Sequence, residues 1–475
     1  MRASRRVLHW SARGLTVAVG VAVAVATGLA VSFAPAARVG SSVPQSEITP
    51  VPTEQTRVCP GPFLALGLDT VDASRAVTVG SADTVSAAEG ATPVAHPLAQ
   101  EGALLRPGDG SPLALTVPVP SGATRPPAIG ASQSQQIQTD ELSGLAAVSC
   151  GEAVAESWLV AGSTKLGQTT IVLLANPTAV EAAVELTVYA AQGVVGGGPA
   201  VVTVAPGSQL MVPLAGIATE LDAPVVHVDA KGGRVFASLQ QSAITGIIPG
   251  GLETVGPVAA PATTVTVPGV MIRGIEAVRG EAAPEGYPVT LPALRLVAPG
   301  DREAHVRVAV APEGGAGAGM TWDGELGPGI VTEVPLNELA DGDYSITVTS
   351  DVPVVAAART STSDGTHRDF AWFGAASPLG HDAMLAVTRP AALHLANPGS
   401  AEATVTVAGP DGVEQKATVA PGTTRAVPLQ QTGSYRLEGT SGMVASVGYA
   451  DAGALASFTV GSAGSLVAPI TIYPR

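Results

Sequence analysis

The sequence predicts an all-β protein of tandem immunoglobulin-like β-sandwich modules behind one N-terminal transmembrane or signal helix. Three observations carry that prediction: an internal repeat in three copies, apolar runs alternating with period two, and one long uncharged segment near the start. Composition agrees with it. Of 475 residues, 46% are hydrophobic and 13% charged, and 56 Gly with 39 Pro supply frequent turns without the three-residue period of collagen. That balance is too apolar for a disordered chain. With a single long apolar run it is also too polar for a polytopic membrane protein.

The first element is the apolar segment. Residues 1–13 carry Arg2, Arg5, Arg6 and Arg13 and no acid, and Gly14 to Ala34 then run without a charge. At ~1.5 Å per residue such a helix just spans a hydrocarbon core of ~30 Å. The basic flank should stay inside, which places everything beyond Pro35 outside a single-pass membrane protein. A run this long favours an anchor over a cleaved signal peptide. Ala34-Pro35-Ala36 nevertheless fits a small-x-small site whose cleavage before Ala37 would release a secreted protein. Residues 35–57, punctuated by proline, read as a tether. Outside the four N-terminal arginines, 20 basic side chains face 39 acidic ones, a net charge of −19 that disfavours nucleic acid as a partner. The only cysteines, Cys59 and Cys150, read as one disulfide in an oxidising compartment. A metal site lacks neighbouring ligands, and a catalytic pair with His96 is the remaining alternative.

The repeat defines the modules. Val172-Leu-Leu-Ala-Asn-Pro177, Leu294-Arg-Leu-Val-Ala-Pro299 and Leu393-His-Leu-Ala-Asn-Pro398 open three copies, each with a glutamate four residues after the proline (Glu181, Glu303, Glu402). Alternating strands follow, as in Val184-Glu-Leu-Thr-Val188 and Val306-Arg-Val-Ala-Val310. A Pro-Gly turn (Pro206, Pro328, Pro421) then precedes a Val-Pro-Leu triplet by a fixed seven residues (Pro213, Pro335, Pro428). Gly342-Asp-Tyr344 and Gly433-Ser-Tyr435 resemble the tyrosine corner of immunoglobulin-like sandwiches. The expected layout is a basic segment 1–13, helix 14–34, tether 35–57, a diverged β module 58–150 pinned by the disulfide, and repeats at 151–257, 258–369 and 370–475. Within 58–150 the polar run Ser132–Gln138 reads as a linker or long loop, and Leu145–Cys150 resembles the closing strand of the later copies. Glu156–Ser163 parallels Phe370–Ser377.

Motifs of catalysis do not appear: there is no Gly-x-Ser-x-Gly elbow, His-Glu-x-x-His pair or phosphate-binding glycine loop. No catalytic, cofactor or metal residue is therefore assigned. His227, His305 and His394 fall in strands and read as solvated or edge positions. His367 and His381, with Asp364, Asp369 and Asp382, flank Trp372 and read as turn residues around an aromatic strand, a metal or catalytic cluster being the sharper alternative. Asp341-Gly-Asp343 reads as a turn, since the spacing of a calcium loop is missing. Trp158 and Trp372 are weighed as core against sugar-stacking platforms. Trp322, beside the glycine-rich loop Gly314–Met320 where the copies differ most, is the third candidate ligand contact.

The basic start with one apolar segment, the Trp-bearing strands, the Leu-Ala-Asn-Pro turns and the Val-Ala-Pro-Gly turns resemble an uncharacterised actinobacterial secreted or membrane-anchored family, domain of unknown function 5719. The resemblance implies an envelope compartment and a modular architecture, and it transfers no site residues. The expected function is a membrane-tethered scaffold or interaction protein of the cell envelope. The alternative is a carbohydrate- or wall-polymer-binding accessory of envelope polysaccharide machinery. The expected partner is an envelope protein or wall polysaccharide. A phosphatase fused after Arg475, active only when exported, should be active; a stable but inactive fusion would overturn this topology.

Overall fold

The computed structural model describes residues 46–48, 53–67, 75–123, 126–281, 291–315, 317–461 and 470–472. These residues are strand and turn, apart from one helix, Ile275–Glu281, and three single 3-10 turns. The expected membrane segment 14–34 lies outside them, and no helix among the described residues is long and apolar enough to cross a membrane. A short antiparallel pair, Ser46–Ile48 with Ile470–Ile472, belongs to a small unit of its own, and Val51–Val467 forms the other. The tether expected over 35–57 ends earlier than its composition indicates. Gln55–Cys59 is a strand paired with Leu113–Val117, because Val58 and Cys59 carry it into the interior.

Each repeat folds as a two-sheet sandwich with the same strand order. In the first, Glu156–Val160, Val225–Gly232, Ala182–Ala190 and Ala200–Val204 make one sheet; Ile248–Val255, Phe236–Thr245, Gln168–Asn176 and Ser208–Pro213 make the other. In the second, Ala262–Ile272, Ala304–Pro312 and Met320–Leu326 share a sheet with the first part of one 22-residue strand, Gly342–Ser363. That strand crosses over and pairs through its second part with Ala293–Val297 and Arg368–Gly374. The third pairs Asp382–Val387, Gly433–Glu438, Ala403–Ala408 and Glu414–Val419 against Ala454–Thr459, Val444–Asp451, Ala391–Ala396 and Thr424–Leu429. The first, third, fourth and sixth strands thus share one sheet, and the second, fifth, seventh and eighth the other. An immunoglobulin constant domain divides its strands differently, as ABED against CFG. The residues 369/370, where one repeat is expected to end, fall inside the closing strand Arg368–Gly374 of the second sandwich.

The alternation read from sequence decides which side chains go inside. Along Ala304–Pro312, Val306, Val308 and Val310 are buried while His305 and Arg307 face solvent, as a two-residue period requires. Repeat punctuation has a structural counterpart too. The buried Asn176 and Asn397 side chains accept the amide N–H two residues on and donate to Val204 and Val419 carbonyls, so each clamps a turn to the adjoining strand. Tyr344 and Tyr435 donate their hydroxyls to the carbonyls four residues upstream, at 3.0 and 2.9 Å.

The N-terminal region does not share the strand order of the three sandwiches. It has three small sheets, including Ser143–Ser149, Ile129–Gln138 and Asp83–Ala88 in that order. The polar run Ser132–Gln138 is not a linker; it lies in the ten-residue strand Ile129–Gln138, with Ser132, Gln133, Ser134 and Gln135 buried. Its amides replace backbone partners for an irregular segment: Gln133 accepts from the Gly61 N–H and donates to its carbonyl, and Gln135 accepts from Phe63 and donates to Val79. On the other face Ser132 donates to the Ala386 carbonyl and Ser134 meets Thr388, joining this region to the third sandwich. Polarity of composition misleads here because buried amides that find partners are compatible with a strand.

Cys59 and Cys150 form the expected disulfide, closing a separation of 91 residues. In the chain-entropy argument such a loop contributes on the order of 4 kcal/mol. Leu145 and Ala147, just before Cys150, pack into the core of the third sandwich. Replacing Cys59 by Ser should therefore lower the calorimetric transition of the whole 51–467 unit, not of its N-terminal part alone. A variant that melts in two steps, with the second at the wild-type temperature, would contradict this coupling.

Candidate functional site

Four strands close the four parts of the fold: Ser143–Ser149, Ile248–Val255, Arg368–Gly374 and Ala454–Thr459. Each is the outermost strand of its sheet, and the four pack side by side in a ring. A sheet edge exposes a row of unpaired amides and carbonyls. Here four such edges turn toward one axis, away from water, so their donors need acceptors.

Asp369 supplies them. One carboxylate oxygen accepts the Leu252 and Phe370 N–H groups at 3.1 and 3.0 Å; the other accepts Leu145 and Leu455 at 2.9 and 3.2 Å. Each of the four closing strands gives one donor. The side chain is 1% exposed. The neighbouring strands carry Gly144 and Gly251 beside it, with positive φ, and a Cβ at Gly144 would stand 2.6 Å from the Asp369 oxygen. Two residues further along, Glu253 forms a second layer. It accepts the Ala147 N–H at 3.1 Å and the Thr254 N–H at 2.9 Å, with a further contribution from Ser457. Its other oxygen has no hydrogen-bond partner among the described residues.

Burial pushes both carboxyls well above the ordinary carboxylate range, and the Asp369 charge adds to the effect at Glu253, while the amide bonds oppose it. Glu253 has fewer amide donors than Asp369 and one oxygen without a hydrogen-bond partner among the described residues, so less opposes the upward push of burial there. Neither residue faces a cleft; both serve the backbone.

At one end the axis opens into a cavity of about 300 Å³, lined by the ends of all four closing strands together with Arg57, Phe236, Val258 and Met384. Arg57, expected in the tether, is buried in its wall and pairs with Glu152 at 2.7 Å. Burial lowers its pKa, against the raising pull of Glu152.

The residues singled out in the sequence fall elsewhere or inside. Trp158 (4% exposed) stacks on His227 at 4.2 Å in the first core, on an opening strand, whereas Trp372 (2% exposed) lies on a closing strand, so the parallel between the two segments is one of sequence only. Trp372 donates to Gln241 and carries the Arg295 guanidinium 4.5 Å above its ring. Neither indole offers an open face for a sugar. Trp322 is half-buried against the second core. The histidine-aspartate group around Trp372 is dispersed: His367 pairs with Asp364, His381 with Asp382, and Asp369 is the axial carboxyl. Asp341 accepts the Gly274 and Ile275 N–H groups at the helix start and Asp343 pairs with Arg273, as a turn reading requires. Glu181, Glu303 and Glu402 are exposed. Glu303, His305 and Glu325 bring ligand atoms within 4.8 Å, all three on exposed side chains.

His394 departs from its expectation as an edge residue. It is wholly buried and its Nδ1 meets Glu313 at 2.7 Å. In repeat register it matches Leu173 and Arg295, and each of the three reaches the preceding part of the fold. Leu173 packs on Leu64, Ala76 and Ala103; Arg295 donates to the Gly162, Pro224 and Asp222 carbonyls; His394 meets Glu313 of the second sandwich. Arg295 also holds Glu333, and burial lowers its own pKa to about 10. Between the second and third sandwiches lies a groove of about 1400 Å³ walled by Glu313, Gly314, Met320, Tyr344, Thr418 and Arg425, so the glycine-rich loop does border a large concavity.

Sequence reading missed Glu253 and marked Asp369 only as a turn residue. The available signal was an acid bordering an apolar run: Asp369 directly before Phe-Ala-Trp-Phe, and Glu253 between Leu252 and Thr254-Val-Gly-Pro-Val. The two acids support a test of stability against pH. Since the folded protein holds a proton on Glu253 that the unfolded chain releases near its ordinary value of 4.5, stability falls as pH rises from there toward the folded pKa. Glu253→Gln keeps the accepting oxygen and should flatten that decline above about pH 4.5, measured by urea midpoints. Asp369→Ala strands four buried amides and should cost on the order of 4 kcal/mol or more. A Glu253→Gln midpoint that tracks wild type at every pH would refute the protonated axis.

Comparison with known proteins adds a family and little else. A comparison with curated proteins gives no match. Among solved structures, a crystal structure of a Thermotoga maritima protein is 21% identical over 25% of this chain and 95% of that one, with a TM-score of 0.20, too slight to carry an argument. The family of unknown function DUF5719 matches residues 106–430, from just before the strand Leu113–Val117 to the end of the strand Thr424–Leu429. That span exceeds half of the chain and takes in three of the four axial strands, and the chain belongs to this family.

Proposed function

We propose that the protein is an extracytoplasmic scaffold or interaction protein of the cell envelope, a membrane-tethered array of sandwich modules that holds a partner on its loops. The observation that carries this reading is the use made of the buried acids. Asp369 and Glu253 bind backbone amides that fasten the modules together, instead of standing across a cleft as acid and base would. The disulfide supports an oxidising compartment, and the net negative charge of the exported part argues for a protein or neutral polymer partner over an anionic one. Buried Trp158 and Trp372 weigh against a sugar-stacking platform.

The contact surface is the groove between the second and third sandwiches. There the glycine-rich loop gives adaptable backbone on a rigid support, the usual division between loop and scaffold in binding proteins. Replacing Gly314–Met320 by a short turn should leave the thermal transition intact and weaken capture of the partner in crosslinked envelopes severalfold. Unchanged capture would exclude the loop. Hydrolysis of a wall polymer by the purified protein would overturn the interaction reading altogether.

A further inference from the structure

The axial cavity is built from the same amide rows that hold Asp369 and Glu253. In an antiparallel ladder, residues alternate between turning both backbone polar groups to the partner strand and turning both away. Cys150, Ala375 and Val460 bond their partner strands through N–H groups at 2.9, 3.1 and 2.9 Å. The residue before each (Ser149, Gly374, Thr459) therefore turns its N–H to the axis, in phase with Leu145, Phe370 and Leu455. Gly256 stands in the same phase, four residues after Leu252. These four amides make a third layer, two residues beyond the one that Glu253 occupies, and all four line the cavity.

Apolar side chains, Val148, Val255, Phe236 and Phe458 among them, make up much of the remaining wall, interrupted by Ser377 and Ser457, and the buried Arg57 guanidinium adds a cation beside its Glu152 partner, which also lines the cavity. We propose that this cavity binds a small carboxylic acid, its carboxyl group seated on the third amide layer and its hydrocarbon body against the apolar wall. The precedent is internal. Where the rows are filled, the filling group is a carboxyl each time, held by four amides in the first layer and by its neighbouring amides in the second. A volume of about 300 Å³ suits a medium-length chain, at the lower end of the range for ligand pockets. The amide dipoles and Arg57 offset the desolvation of the carboxylate.

The test uses the purified full chain with octanoate, and 1-octanol as the same body without the acid. Calorimetry should show saturable octanoate binding at least tenfold tighter than octanol. A diazirine-bearing octanoate should crosslink within 148–151, 255–259, 372–377 and 457–460. Met384→Trp, which fills the cavity, should abolish binding; if that variant does not fold, the crosslink map and the acid-to-alcohol ratio decide alone. Equal affinity for the two probes, crosslinks outside these segments, or no saturable binding would overturn the proposal. Loss of the Gly314–Met320 loop should leave octanoate binding unchanged, which separates this site from the partner surface.

Discussion

Four sheet edges converge on one axis, and a single carboxylate closes them. Asp369 accepts one N–H from each closing strand, and the rest of the 51–467 unit is arranged so that this can happen. An unprotected edge is a liability because its free amides invite pairing with another chain. Full barrel closure is one remedy, and here the edges are buried against each other and served by side-chain oxygens. The geometry has a consequence for composition: where the carboxylate sits, the facing strands offer Gly144 and Gly251, since a Cβ at either would collide with it.

Around this axis the sandwiches are keyed to one another by one position of the repeat. In the opening triplets Val172–Leu174, Leu294–Leu296 and Leu393–Leu395, the outer two residues enter their own core while the middle residue leaves it and reaches the preceding part of the fold. Leucine, arginine and histidine fill that place in turn, so the three contacts are an apolar cluster, hydrogen bonds from a guanidinium to backbone carbonyls, and a histidine–carboxylate pair. Arg295 is the costliest of these to desolvate. It is wholly buried, and its site gives it Glu333, three backbone carbonyls and the face of Trp372. Satisfying nearly every donor is the condition under which a buried cation is tolerated. Burial pushes Glu333 up, but Arg295 and Arg359 outweigh it and hold this carboxylate below its ordinary value.

The chemistry-bearing residues described above are largely committed to holding the fold, and the two proposed ligands sit in two of the concavities among the described residues. The groove between the second and third sandwiches has loop walls and the wider volume, which suits a macromolecular partner. The axial cavity is small, half enclosed and lined by ordered strand ends, which suits a small molecule. The disulfide sits at the cavity wall, through Cys150, so the staple that closes the N-terminal loop also fixes one side of that site.

Local features were legible in the chain because they rest on local physics. Period-two alternation decided which valines enter each core, Gly and Pro marked the turns, and the offsets of the repeat marked three related segments with a common strand order; the Asn-Pro and Gly-x-Tyr motifs each keep a hydrogen bond within a few residues. The cysteine pair followed from count alone. What sequence could not decide were questions about partners far along the chain. Whether Ser132–Gln135 is a loop or a buried strand depends on Gly61, Phe63 and Ala386, 72 to 254 residues away. Whether His394 meets water or Glu313 depends on which sandwich packs beside it. Asp369 has the look of a turn residue until four strand edges, contributed by segments spread from 145 to 455, bring it their amides. The assignment of a polar side chain to surface or centre is a tertiary matter, because the energy that decides it comes from groups that only the fold brings together.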